Sequence, residues 1–144
     1  MQGMTPIVKT VTGGMAGMTF LYGTYIVLHG HLTPGGGFAG GVMVCAAFIL
    51  IVLARGSEEA VSESKKWRSS VAESLGIFAF WILAMIGLIG GAFFFYNFLT
   101  KGKPFHLLSA GFMPLSNIAI GLEVASALFA VFITLAVLKT GGKE

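Results

Sequence analysis

Residues 29–41 read His-Gly-His-Leu-Thr-Pro-Gly-Gly-Gly-Phe-Ala-Gly-Gly, and residues 42–54 continue Val-Met-Val-Cys-Ala-Ala-Phe-Ile-Leu-Ile-Val-Leu-Ala. A glycine-rich turn thus opens directly onto an apolar run without a single charge. A bilayer core of ~30 Å needs about 20 apolar residues per helix, and Gly37–Ala54 is just long enough to cross. Working outward, three more windows qualify: Ile7–Leu28, Leu75–Leu99 and Met113–Leu138. Open sheets cannot cross lipid, and nothing alternates like a barrel strand, so the windows are helices. The sequence predicts an all-α integral membrane protein, with four transmembrane helices, short loops and a single membrane domain over residues 1–144.

Composition excludes the competing classes. Charged residues make up 10% of the chain, against about 25% in soluble domains, and there is no Asp. Disorder is excluded by the apolar content of 56%, and the 21 glycines follow no collagen period. A net charge of +3 is too weak to suggest nucleic acid. The lone Cys45 can form no internal disulfide. After Lys9 the apolar stretch outruns a signal-peptide core of about 7–15 residues, and no small-residue cleavage site follows, so no removable leader is expected.

Loop charge predicts orientation. Lys9, Arg55, Lys65, Lys66, Arg68, Lys139 and Lys143 fall on one side, and Lys101 and Lys103 on the other. Cationic loops stay inside, so both termini are expected in the cytoplasm of a multi-pass plasma-membrane protein. Between the second and third spans, Ser57 is a candidate N-cap with Glu58 and Glu59 behind it. Lys65, Lys66 and Arg68 would close a short interfacial helix, with Trp67 at headgroup depth.

Lipid gives helices no hydrophobic reason to associate, so small residues must allow close packing. Thr10, Gly13, Gly14, Gly17, Leu21 and Thr24 follow helical spacing in the first span. Gly76, Ala84, Gly87 and Gly91 do so in the third, and Ser116, Ala119, Glu123, Ser126, Ala127, Ala130 and Thr134 in the fourth. Each stripe serves either an internal bundle face or a neighbouring subunit.

Chemistry is confined to few groups. Glu123 is the one acid inside a predicted span, about 15 Å along the last helix at 1.5 Å per residue. A buried carboxylate is expensive, so it faces protein or water, either as a proton or cation site or as a packing residue. Asn117, six positions earlier, points elsewhere and suits an interhelical hydrogen bond. His29, His31 and His106 share the outer side, where solvated interfacial rings are the simplest reading. No Cys, Asp or Glu joins them there, so no metal is expected. Cys45 reads as a small packing residue. Glu123, His31 and Asn117 are the ion-pathway candidates. Pro34, Gly35, Gly36, Gly37, Phe38, Gly40 and Gly41 form the expected helix-packing motif. Glycines at a helix entrance cost about 1 kcal/mol each relative to Ala, which close backbone approach would offset.

Gly30-His31-Leu32-Thr33-Pro34-Gly35-Gly36-Gly37-Phe38-Ala39-Gly40-Gly41 resembles the Gly-His-x-x-Pro-Gly-Gly-Gly-Phe-x-Gly-Gly signature of the B subunit of Mrp-type multisubunit sodium/proton antiporters. Residues 108–124, from Leu108 through Pro114, Asn117, Gly121 and Glu123 to Val124, look like that subunit's final helix. Related subunits occur in membrane-bound hydrogenase and sulfur-reductase complexes. The resemblance implies an accessory, non-catalytic subunit without cofactor, supporting Na+ and H+ translocation. Its implied partners are other membrane subunits of an Mrp-like antiporter or hydrogenase complex, and the lipid bilayer. Leu32 replaces an Asn of many bacterial members, which leaves open a dedicated antiporter or a redox host. At Glu123 the family carries either an acid or a base. A self-sufficient small multidrug-type homodimer would place its acid in the first helix, and a purely structural scaffold is the other alternative.

Overall fold

In the computed structural model, residues 4–32, 34–56, 63–89, 93–97, 99, 102 and 109–141 are described. They form α1 (Pro6–His29), α2 (Gly36–Arg55), α3 (Glu63–Ile89) and α4 (Met113–Gly141). Each contains a stretch long and apolar enough to cross a membrane: Pro6–His29, Gly36–Arg55, Trp67–Ile89 and Met113–Leu138. Thr33, Ser57, Glu58, Glu59, Lys101, Lys103 and His106, and the side chains of Lys65 and Lys66, lie outside the described residues.

Local chemistry explains the helix ends. Pro6 opens α1, where its missing N–H would have no helical partner. The hydroxyls of Thr10, Thr19 and Thr24 donate to carbonyls four residues back, at 3.1, 2.8 and 2.9 Å. That satisfies groups which hydrocarbon would leave unpaired. α2 begins after a reversal through Gly35 (φ 128°) and Gly36 (φ 60°), backbone that side-chain-bearing residues rarely adopt. It ends at Gly56 (φ 107°), whose N–H donates to the Val52 carbonyl at 3.0 Å.

α1 and α2 form an antiparallel pair, tied at the far end by Met4 N–H donating to the Ala54 carbonyl at 3.1 Å. α4 is central: it packs along α2 and α3 and touches α1 over a short length. Among the described residues α2 and α3 do not approach each other, so a cleft floored by α4 separates them. Phe48 of α2 links its neighbours, meeting Phe20 of α1 edge-on at 5.9 Å and Phe129 of α4 at 6.0 Å.

The third helix departs from the expected Leu75–Leu99. It starts at Glu63 and its described part ends at Ile89. Trp67 and Arg68 therefore stand in its first turns, not at the end of a separate interfacial helix. Beyond it the chain folds back along the helix. Phe95 takes φ 62° and its N–H donates to the Ala84 carbonyl at 3.4 Å, while Tyr96 N–H donates to Phe93 at 2.9 Å. Rings hold this return, Phe95 lying 5.3 Å from Phe80 and 6.2 Å from Phe112. Gly87 makes room for it, since a Cβ there would meet Tyr96 N at 2.7 Å.

The stripes also divide. Gly76, Ala84 and Gly87 of α3 are buried, as are Ser116, Ala119 and Ser126 of α4. In α1, by contrast, Gly13, Gly14 and Gly17 have open space where a Cβ would stand, and Leu21 is 70% exposed. The internal face of α1 is instead Ala16, Gly23 and Val27. Two substitutions separate these surfaces. Gly40→Leu should lower the thermal unfolding midpoint in detergent, consistent with an overpacking cost of about 1–3 kcal/mol. Gly13→Leu should leave that midpoint unchanged.

Candidate functional site

The glycine turn is a three-way junction. Gly37 and Gly41, one helical turn apart, face α4. A Cβ on Gly37 would meet Ile120 at 3.0 Å, and one on Gly41 would meet the Gly121 carbonyl at 2.7 Å. Gly40 faces α1, where a Cβ would meet the Gly23 carbonyl at 2.8 Å and Val27 N at 2.9 Å. Reciprocally, a Cβ on Gly23 would meet Val44 N at 3.0 Å, and one on Gly121 would press on Val27 at 2.9 Å. Phe38 projects outward and is 64% exposed, and Pro34 and Gly35 are exposed at the turn.

Asn117 sits inside this junction. A Cβ on Gly30 would meet its Nδ2 at 2.7 Å, and one on Gly36 would meet its Oδ1 at 3.5 Å. The side chain thus fills the angle between the end of α1 and the start of α2. His31 follows Gly30 in the same turn and is half-buried, with Nδ1 enclosed, unlike the solvated ring expected. His29 stacks on Tyr25 at 4.2 Å, and its Nδ1 lies 3.2 Å from the Tyr25 carbonyl. Cys45 is buried in α2.

Glu123 belongs to a different seam. It is half-buried where α4 crosses α3 at Gly76, whose Cβ position lies 2.9 Å from Glu123 Cβ and N and 3.0 Å from the Ala119 carbonyl. Two turns along, Ser69 Oγ of α3 donates to the Ser126 carbonyl at 2.8 Å, and Ser126 Oγ reaches the Leu122 and Glu123 carbonyls at 2.7 and 3.0 Å. Six residues of helix turn a side chain through about 240°, which explains the separation of Asn117 from Glu123. The structure therefore gathers His31 and Asn117 at one junction and sets Glu123 in the other. The glycine junction lets α1, α2 and α4 meet at backbone distance.

Sequence reasoning passed over Asn97. Its Nδ2 donates to the Ala110 carbonyl at 3.1 Å, and its Oδ1 accepts from Phe112 N–H at 3.3 Å. Gly111 (φ 66°) turns beneath it, and a Cβ there would strike the amide. This clamp fixes the entrance to α4. Amides are scarce here, with Gln2, Asn97 and Asn117 the full set, and that scarcity was the available signal.

Four apolar helices, two tight seams and bulky apolar side chains turned outward define a multi-pass membrane protein. Residues 7–137 match the family model described as a domain related to the MnhB subunit of Na+/H+ antiporter, and the chain belongs to that family. It is 36% identical over 130 residues to an uncharacterized protein of Methanocaldococcus jannaschii, covering 86% of this chain and 49% of that one. It is also 36% identical over 99 residues to a Staphylococcus aureus protein named as antiporter subunit mnhB2, covering 69% and 62%. Among solved structures it resembles a chain of the membrane-bound sulfane sulfur reductase, an archaeal respiratory membrane complex. That match has a TM-score of 0.72 and 28% identity, and covers 91% of this chain and 57% of that one. The chain thus spans about half to three-fifths of the length of these relatives.

Removing the Asn97 clamp tests the local architecture. Asn97→Ala should speed hydrogen exchange at the Phe112 amide by about tenfold or more, since a lost partner costs about 1–3 kcal/mol. Amides of α1 and α2 should exchange as before.

Proposed function

We propose that the chain is an accessory subunit of an Mrp-type monovalent cation/proton antiporter module, supporting Na+/H+ translocation without catalysing a reaction itself. The observation that carries this reading is the MnhB-subunit match over residues 7–137, which takes in nearly all of the four helices. Helix surfaces agree with it. The α1 glycine face and the bulky side chains of Leu21, Phe38 and Phe93 are turned away from the bundle, as suits packing against other membrane subunits. The likeness to a chain of a respiratory complex favours a second host for the same subunit, a redox-driven membrane assembly.

In this reading both termini lie in the cytoplasm, with the junction of Gly30, His31 and Asn117 near the opposite surface. Glu123 takes part in proton or cation movement, supported by its half-burial within a membrane span.

Extraction from native membranes in mild detergent should give a complex many times the 15.1 kDa of the chain. An active homodimer alone would overturn the subunit reading. Glu123→Gln should leave that complex assembled while lowering sodium-dependent proton movement per complex in vesicles between about pH 6 and 9. Gln keeps the volume and the hydrogen bonding but exchanges no proton. An unchanged rate and pH profile would remove Glu123 from the ion route.

A further inference from the structure

The cleft between α2 and α3 opens beside the α3–α4 seam and shares Ser69 and Ser126 with it. It holds about 470 Å³, within the range of small-molecule sites, and α4 forms its floor. Its walls are almost wholly apolar: Phe48 from α2, Ala72 from α3, and Leu122, Ala125 and Phe129 from α4. Two serines also line it, but both hydroxyls are spoken for within the protein. Ser69 Oγ donates to the Ser126 carbonyl, and Ser126 Oγ donates to α4 carbonyls one turn back. The interior therefore asks for hydrocarbon.

The mouth asks for something else. Arg68 lines the same cleft and is exposed, one residue into the apolar stretch that begins at Trp67. That places a permanent cation at headgroup depth, with the indole of Trp67 beside it at the interface. Arg55 ends α2 one turn beyond Val52, another residue of the lining, so a second cation stands at the same end of the cleft. Glu73 lies about 140° round α3 from Arg68 and is not part of the lining. A planar guanidinium over a dry groove matches an amphiphile with an anionic head.

We infer that the cleft between α2 and α3 is a specific site for one anionic membrane phospholipid, with its phosphate on Arg68 and a hydrocarbon chain over Phe48, Leu122 and Phe129. A helix of another subunit would fill the apolar part but would leave the cation at the mouth unused. The lipid uses both, and bridges two helices that α4, among the described residues, holds apart.

Native mass spectrometry of the full chain in mild detergent tests this, with phosphatidylglycerol and phosphatidylcholine as probes. The wild type should retain one phosphatidylglycerol in preference to phosphatidylcholine. Arg68→Gln should weaken phosphatidylglycerol about fivefold, the worth of one cation near a membrane surface, and leave phosphatidylcholine unchanged. Arg68→Lys should keep most of the preference. Ala125→Phe, which fills the floor, should expel both lipids. Inorganic phosphate, lacking a chain, should displace neither. Undiminished phosphatidylglycerol binding in Arg68→Gln would overturn the proposal, as would displacement by phosphate alone. So would an Ala125→Phe variant that keeps its lipid but loses a partner subunit from the native complex, since a protein segment would then occupy the cleft. Arg68 is exposed, so the Arg68→Gln arm decides the matter even if Ala125→Phe does not fold.

Discussion

Backbone-to-backbone approach at residues 37–41 is the constraint on which the bundle depends. Hydrocarbon surrounds these helices, so burying leucine against leucine gains little over burying it against lipid. Cohesion must come from surfaces that meet more closely than lipid chains can follow. α2 achieves this on two sides at once: Gly37 and Gly41 receive α4, and Gly40 receives α1. A side chain at any of the three would press on a neighbouring helix backbone or on Val27. Gly35 and Gly36 then complete the reversal that brings α2 to this position. Glycine lowers helix propensity along this stretch, and the close approach offsets that cost.

A second seam works by different chemistry. α3 lies on α4 through Gly76 and Ser69, against Ala119, Glu123 and Ser126, with serine hydroxyls closing onto carbonyls across and along the seam. Because α4 carries both seams on different faces, α2 and α3 are kept apart, and the cleft between them follows from that geometry. Glu123 sits in this seam of serines and a single glycine, Gly76. Asn117 sits in the other, against Gly30, Gly36 and Gly37.

The outer surface completes this picture. The glycine face of α1 has open space beside it, and Phe93 is 85% exposed on the return segment after α3. That segment runs non-helical backbone beside Ala84, within the length of a membrane-crossing helix. Such backbone is tolerated at membrane depth only where protein or water covers it. Its exposed side is accordingly suited to a neighbouring subunit.

Sequence alone determined the class of fold, because hydrocarbon imposes one requirement on every residue of a span. Charge must be excluded over about 20 residues, and that pattern is local. It also marked the run from Pro34 to Gly41 as a packing device, since so many glycines at a helix start have few other uses. What each glycine touches was decided only by the tertiary structure, and so was the choice between stripes. Gly13, Gly14 and Gly17 have the spacing of a contact face yet face outward, while Ala16, Gly23 and Val27 turn inward. Both sets repeat with helical period, and periodicity cannot say which side of a helix its neighbours occupy. The same blindness hid the end of α3, because Phe93–Leu99 is as apolar as the helix before it, and only the backbone bond to Ala84 and the ring contacts of Phe95 turn it back. Asn97 was illegible for a related reason. Its partners, Ala110 and Phe112, lie 13 and 15 residues away, and only folding brings the amide to them.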